Sequence, residues 1–97
     1  MIFRFSDQAK RDLAEIGDWI ATDNPMRAET FIDELIERSH SLALHPLRFP
    51  VAMHVNGQEI RKLTHAGYLI FYLAGEREIF ILRIVHGSRD WAALFSA

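Results

Sequence analysis

Residues 58–90, QEIRKLTHAGYLIFYLAGEREIFILRIVHGSRD, decide the fold. They read as three consecutive strands joined by two short turns. Gly67–Leu73, GYLIFYL, is an unbroken apolar and aromatic run of strand length, and Glu78–Val85, EIFILRIV, is a second, interrupted only by Arg83. Neither run alternates cleanly between polar and apolar residues, so both strands are expected to be covered on both faces for much of their length. Ala74-Gly75-Glu76-Arg77 between them suits a hairpin, with Gly75 supplying the positive φ of its turn. The polar exit His86-Gly87-Ser88-Arg89-Asp90 follows a buried strand directly, which is where chemistry or recognition is displayed.

What precedes Gln58 reads as the cover of this sheet. Met1–Phe5, MIFRF, alternates around Arg4 as a short first strand. Ser6 is a helix N-cap with Asp7 at the positive end of the dipole. Ala9, Leu13, Ile16 and Ile20 then recur at helical spacing, with Lys10, Arg11, Asp12, Glu15 and Asp18 on the other faces. Thr22-Asp23 ends this helix, and Asn24-Pro25 caps and starts a second. That helix is expected from Pro25 to about Leu44, with Ala28, Phe31, Ile32, Leu35, Ile36 and Leu42 forming a wide apolar stripe, until His45-Pro46 closes it. Leu47–Gly57 reads as an irregular crossover. The expected architecture is α+β in two layers, β-α-α-β-β-β, a helical hairpin on an antiparallel sheet. A short C-terminal helical tail runs through Trp91, Leu94 and Phe95. The first strand is expected to pair antiparallel with the last.

Ninety-seven residues suit one domain, 1–97, with one core, and an apolar share of 49% with 25% charged residues is a globular balance. The absence of cysteine excludes disulfides, thiol catalysis and cysteine-ligated zinc. The N-terminal MIFRFSDQAKRDL lacks a signal-peptide core and no stretch approaches a membrane span, so a cytoplasmic, non-membrane protein is expected. The net charge is −2, but it is unevenly placed: residues 1–47 hold five basic and nine acidic side chains, residues 48–97 six and four. The sheet half is mildly cationic, compatible with an anionic partner.

Several residues invite chemistry. His86, Ser88 and Asp90 are the residue types of a catalytic triad, but they fall within five residues, whereas triads are assembled from distant segments around an oxyanion pocket. In the better reading His86 and Asp90 hydrogen-bond the turn that ends the strand, with Gly87 allowing its curvature. His40 and His45 are five apart, not at ligand spacing on one helix face, so no metal is expected. No phosphate-binding glycine loop exists. Arg83 interrupts a covered strand, where a lone cation is costly. It either meets a carboxylate or snorkels to the surface, or it belongs to a cationic field with Arg61, Lys62, His65 and Arg89 on an open sheet face. Tyr68 and Tyr72, on one side of their strand, would line that field. Such a field suits RNA or an acidic peptide.

The chain resembles the ParE toxins of the ParE/RelE superfamily, the toxic halves of type II toxin–antitoxin pairs. The resemblance rests on Ala9-Lys10-Arg11-Asp12-Leu13 with Ile16 and Ile20, on Asn24-Pro25 and Ala28, and on Leu42-Ala43 with Pro46. It continues through Ile60-Arg61-Lys62-Leu63, Gly67-Tyr68-Leu69-Ile70-Phe71-Tyr72 and Ile81–Asp90, colinear over nearly the whole chain. It implies a helical hairpin over an antiparallel sheet, a cognate antitoxin, a toxin–antitoxin hetero-oligomer, a role in plasmid stabilisation and no cofactor. ParE-like toxins poison DNA gyrase without chemistry of their own, whereas RelE-like relatives cut messenger RNA on the ribosome with Lys, Arg and a Tyr or His. A metal-free ribonuclease needs a base, a phosphate-binding charge and an acid. Arg61, Arg83 and His86 are the nearest to such a set, but no basic residue lies in Tyr68–Leu73 and no tyrosine follows Tyr72. The resemblance therefore points to gyrase, with Arg61, Lys62, Arg83, His86, Arg89 and Trp91 as target-binding residues. The nuclease and a non-toxic antitoxin-binding remnant are the alternatives. The apolar surplus of the second helix, Phe31, Ile32, Leu35 and Ile36, with Trp19 of the first, is expected to receive an amphipathic helix of the antitoxin.

Overall fold

The computed structural model describes residues 1–95. In chain order it contains β1 (Ile2–Phe5), α1 (Asp7–Ala21), α2 (Pro25–Ser41), β2 (Val51–Val55), β3 (Gln58–His65), β4 (Tyr68–Ala74), β5 (Glu78–His86) and a 3₁₀ helix (Trp91–Phe95). The strands form one sheet in the order β1-β5-β4-β3-β2. The two helices cover one of its faces, so the α+β two-layer architecture read from the sequence holds.

Both helices begin where their caps place them. Ser6 has extended backbone and its hydroxyl accepts the Ala9 N–H at 2.9 Å. Asn24 accepts the Arg27 N–H at 3.1 Å, with Pro25 in the first turn of α2. α2 ends at Ser41 rather than near Leu44. The 42–44 stretch tightens into i→i+3 bonds, Leu42 to Ser39, Ala43 to His40 and Leu44 to Ser41, before Pro46 forbids further helix.

Two expectations about the sheet fail for one reason. Residues 51–55, read as irregular, are a fifth strand, β2, antiparallel to β3. The turn Asn56-Gly57 joins them with φ of 52° and 79°, the left-handed pair that a two-residue hairpin requires. Each hairpin step reverses chain direction, so the extra strand inverts the parity of everything after it. β5 consequently runs parallel to β1, with Ile2 opposite Glu78 and Phe5 opposite Ile81, and the sheet is mixed. The β3–β4 turn repeats the device at Ala66-Gly67, φ 48° and 85°. Gly75, expected to supply a positive φ, does not; it closes the β4–β5 turn by donating its N–H to Glu78 O at 2.8 Å.

The unbroken runs of β4 and β5 are covered on both faces as expected. Toward the helices, Leu63, Ile70, Tyr72, Ile79, Ile81 and Ile84 meet Ile16, Phe31 and Leu35. On the opposite face, Ile60, Leu69, Phe71 and Val85 form a smaller cluster. The tail roofs it: the Trp91 and Phe95 rings each lie 5.2 Å from the Phe71 ring. The tail thus seals a face of the sheet.

Candidate functional site

Of the residues expected to hold a target, the fold brings Lys62 to Trp91 and His86 to Arg89, and it engages Arg61 and Arg83 elsewhere. Arg83 lies in a bulge of β5, where pairing with β4 passes from Phe71–Arg83 to Tyr72–Ile81 and leaves one residue extra. β1 pairs no further than Ile81, so the remaining edge of β5 needs other partners. The start of α1 supplies them. Ser6 Oγ donates to Leu82 O at 2.7 Å, and Asp12 Oδ2 accepts the Ile84 N–H at 2.9 Å. Asp12 also accepts two bonds from the Arg83 guanidinium, at 2.9 and 3.1 Å, and one from Gln8 at 3.1 Å. Asp12 is 3% exposed, a depth at which a carboxylate survives only when fully partnered. Arg83 therefore finds the carboxylate that its burial demanded, and it turns toward α1 instead of an open sheet face.

Arg61 is likewise engaged. It donates to Leu47 O at 3.1 Å and Phe49 O at 2.7 Å, pinning the loop between α2 and β2. Tyr72 is wholly buried and donates to Pro46 O at 2.8 Å, and burial raises its phenol above the ordinary tyrosine pKa. It is a core residue and lines no cationic field. Lys62 extends over the Trp91 ring, 5.1 Å from its centroid, on the roofed face. His65 meets Glu34, Nε2 to Oε1 at 3.0 Å, and Arg27 pairs with the same carboxylate. The Arg27 hydrogen bond first, and His65 second, hold the Glu34 carboxyl at about 2.

The stripe assigned to the antitoxin is also redistributed. Phe31 and Leu35 are buried in the helix–sheet core and cannot receive a partner, because the sheet is wide enough to consume them. Ile32 and Ile36 are half-buried, Ile32 beneath Gly17 in the helix–helix contact. Trp19 alone of that group stays in solvent, 74% exposed.

What the fold does bring together is a cleft of about 180 Å³ between α1 and the end of β5. Glu15 and Trp19 form one wall, His86 and Arg89 the other, and Tyr68 and Ile84 lie between them. His86 stands edge-on to Tyr68, centroids 5.2 Å apart. The Ser88 N–H donates to His86 Nδ1 at 3.1 Å, and Ser88 Oγ lies 2.7 Å from the same nitrogen. A backbone N–H can only donate, so Nδ1 is the acceptor and Nε2 carries the imidazole proton. The turn is closed by Gly87 N–H to Gly67 O at 2.8 Å and Arg89 N–H to His86 O at 3.1 Å. The strand-end reading holds for His86, whose partner in the turn is Ser88 instead of the expected Asp90. Sequence reasoning put Trp19 in one list and His86 and Arg89 in another. It missed Glu15 and Asp12. Asp12 had a signal, since it lies three residues after Ala9 and four before Ile16, on the apolar stripe itself.

No helix is long and apolar enough to cross a membrane, and no cluster of three or more His, Asp or Glu able to hold a metal occurs among the described residues. Residues 3–91 match the family model of the ParE toxin of the type II toxin–antitoxin system, parDE. No curated protein matches the chain. Among solved structures, the chain is similar to the chromosomal ParDE toxin–antitoxin system from P. aeruginosa, at 23% identity and a TM-score of 0.75, over 89% of this chain and 95% of that one. It is also similar to the toxin–antitoxin complex RelBE2 from Mycobacterium tuberculosis, at 22% identity and a TM-score of 0.64, over 88% and 95%. At these identities the likeness carries the fold.

Proposed function

This chain belongs to the ParE toxin family, and on that premise we propose that it is a toxin that inhibits DNA gyrase by binding, without catalysis, and is neutralised in the cytoplasm by a cognate antitoxin. The observation that carries this reading is the fate of the cations. A nuclease must present charge to a phosphate and place an acid and a base around it. Here Arg83 is consumed by Asp12 and Arg61 by two loop carbonyls. The sheet face away from the helices carries Phe71, Leu69 and Val85 beneath Trp91 and Phe95. Lys62 sits on that face against Trp91, whereas His86 borders the cleft beside α1. With both guanidinium groups already bonded within the fold, neither Arg61 nor Arg83 is free to hold a phosphate for His86.

Induced without its antitoxin, the protein should arrest growth with DNA breaks and a damage response while messages stay whole. Translation that stops first, with messages cut at defined codon positions, would contradict the reading. Unaffected growth would mark a partner-binding remnant instead.

A further inference from the structure

We propose that the cleft between α1 and the end of β5 is an anchor site for a peptide segment of the antitoxin. Trp19 and Tyr68 would take one apolar side chain, and His86 and Arg89 a carboxylate beside it. This rests on the toxin reading, which requires an antitoxin.

The size of the cleft fixes the scale of its occupant. About 180 Å³ is below the range of roughly 300–1,000 Å³ typical of small-molecule pockets. It is also too narrow for a helix of about 10 Å diameter to enter. One or two side chains of a segment lying across it fit.

Its chemistry fixes the class. Ser88 occupies His86 Nδ1, which leaves Nε2–H as the ring's donor. The Arg89 guanidinium has no carboxylate partner among the described residues, unlike Arg83 and Arg27, which each have one. A guanidinium without a carboxylate and an imidazole N–H donor lining one cleft ask for an anion. The opposite wall bears Glu15, likewise without a hydrogen-bond partner among the described residues, and Asp18 precedes Trp19 on the same acidic helix. A polyanion such as nucleic acid would be repelled along that wall. A peptide, whose charges alternate in sign around an apolar residue, satisfies both walls.

The aromatic pair gives the site its strength. A lone exposed hydrophobe is ordinary, but Trp19 at 74% exposure borders a cleft that also holds Tyr68 and Arg89. Trp, Tyr and Arg are the residues in which interface energy concentrates. His86 is held by Ser88 and by the Tyr68 ring, so the donor is positioned before the partner arrives. An antitoxin must keep its toxin continuously occupied, which favours such a prepared anchor.

The test uses the antitoxin selected for restoring growth to cells that express this chain, titrated calorimetrically against purified wild type, Trp19→Ala and Arg89→Glu. Both positions are exposed, so urea midpoints should match wild type and show that each variant is folded. Trp19→Ala should weaken binding about 30-fold or more and Arg89→Glu about tenfold or more, with Arg89→Lys intermediate. Wild-type affinity in both Trp19→Ala and Arg89→Glu overturns the anchor site and leaves the toxin reading standing. Absence of antitoxin binding by wild type removes both. Unchanged antitoxin affinity with lost gyrase inhibition assigns the cleft to the target and overturns the proposal. So does binding of an oligothymidylate that is abolished by Trp19→Ala.

Discussion

Asp12 and Arg83, 71 residues apart in the chain, are joined by two hydrogen bonds, and the same Asp12 carboxylate takes the Ile84 N–H that β1 leaves unpaired. This joint fastens the first helix to the last strand where the sheet loses its edge partner. It determines what Arg83 is available for.

Asp12→Ala should lower stability by about 3–5 kcal/mol, because it strands a largely buried guanidinium. Arg83→Ala should do similar harm by stranding Asp12. The double variant Asp12→Leu/Arg83→Met should be milder than either single change. It should still lose about 1–3 kcal/mol, since the Ile84 N–H stays unsatisfied. Urea denaturation of the four proteins checks this; additive losses in the double variant would show that the pair is not coupled.

The tail is a structural roof. Truncation after Asp90 should uncover Phe71, Leu69 and Val85, lowering stability and causing binding of a hydrophobic dye. Trp91→Ala alone should cost about 1–3 kcal/mol, as expected for a partly buried large side chain. A truncated protein with a wild-type denaturation midpoint would refute the roof.

The two left-handed turns should resist side chains. Gly57→Ala and Gly67→Ala should each cost about 1–2 kcal/mol, because φ of 79° and 85° crowds a Cβ against its own backbone. Nothing lies within 4 Å of a Cβ built at Gly57, so any loss there reports backbone conformation alone. Equal stability of Gly57→Ala and wild type, by thermal unfolding, would contradict the turn geometry.

Glu34 should titrate near 2 by NMR, and Arg27→Ala should move it up toward the ordinary carboxylate value of 4.5. A carboxyl held low in the folded state stabilises it fully above the unfolded pKa. That support fades as pH falls from about 4.5 through about 2. The site is solvent-exposed, so the effect on unfolding should be small and screened by salt. A Glu34 titration midpoint unmoved by Arg27→Ala would rule out the pairing.

Local signals were the legible ones. The caps Ser6 and Asn24-Pro25 placed both helices, and the unbroken runs of β4 and β5 announced burial on two faces. β2 escaped because VAMHV is short, follows Pro50 and does not alternate clearly, although Asn56-Gly57 after it is a strong hairpin turn. That omission also reversed the direction assigned to β1 against β5. The site was less legible because its parts are joined by tertiary contacts. Nothing in the spacing of Glu15 and Trp19 reveals that His86 and Arg89 will face them, or that Arg61 will be spent on the Leu47 and Phe49 carbonyls.

The most direct test of the toxin mechanism is an assay of purified protein against gyrase supercoiling beside an assay of ribosome-bound message cleavage. Inhibited supercoiling, intact messages and no cleavage are expected for wild type and for His86→Ala. Codon-positioned cleavage that disappears in His86→Ala, with supercoiling unaffected, would contradict that mechanism.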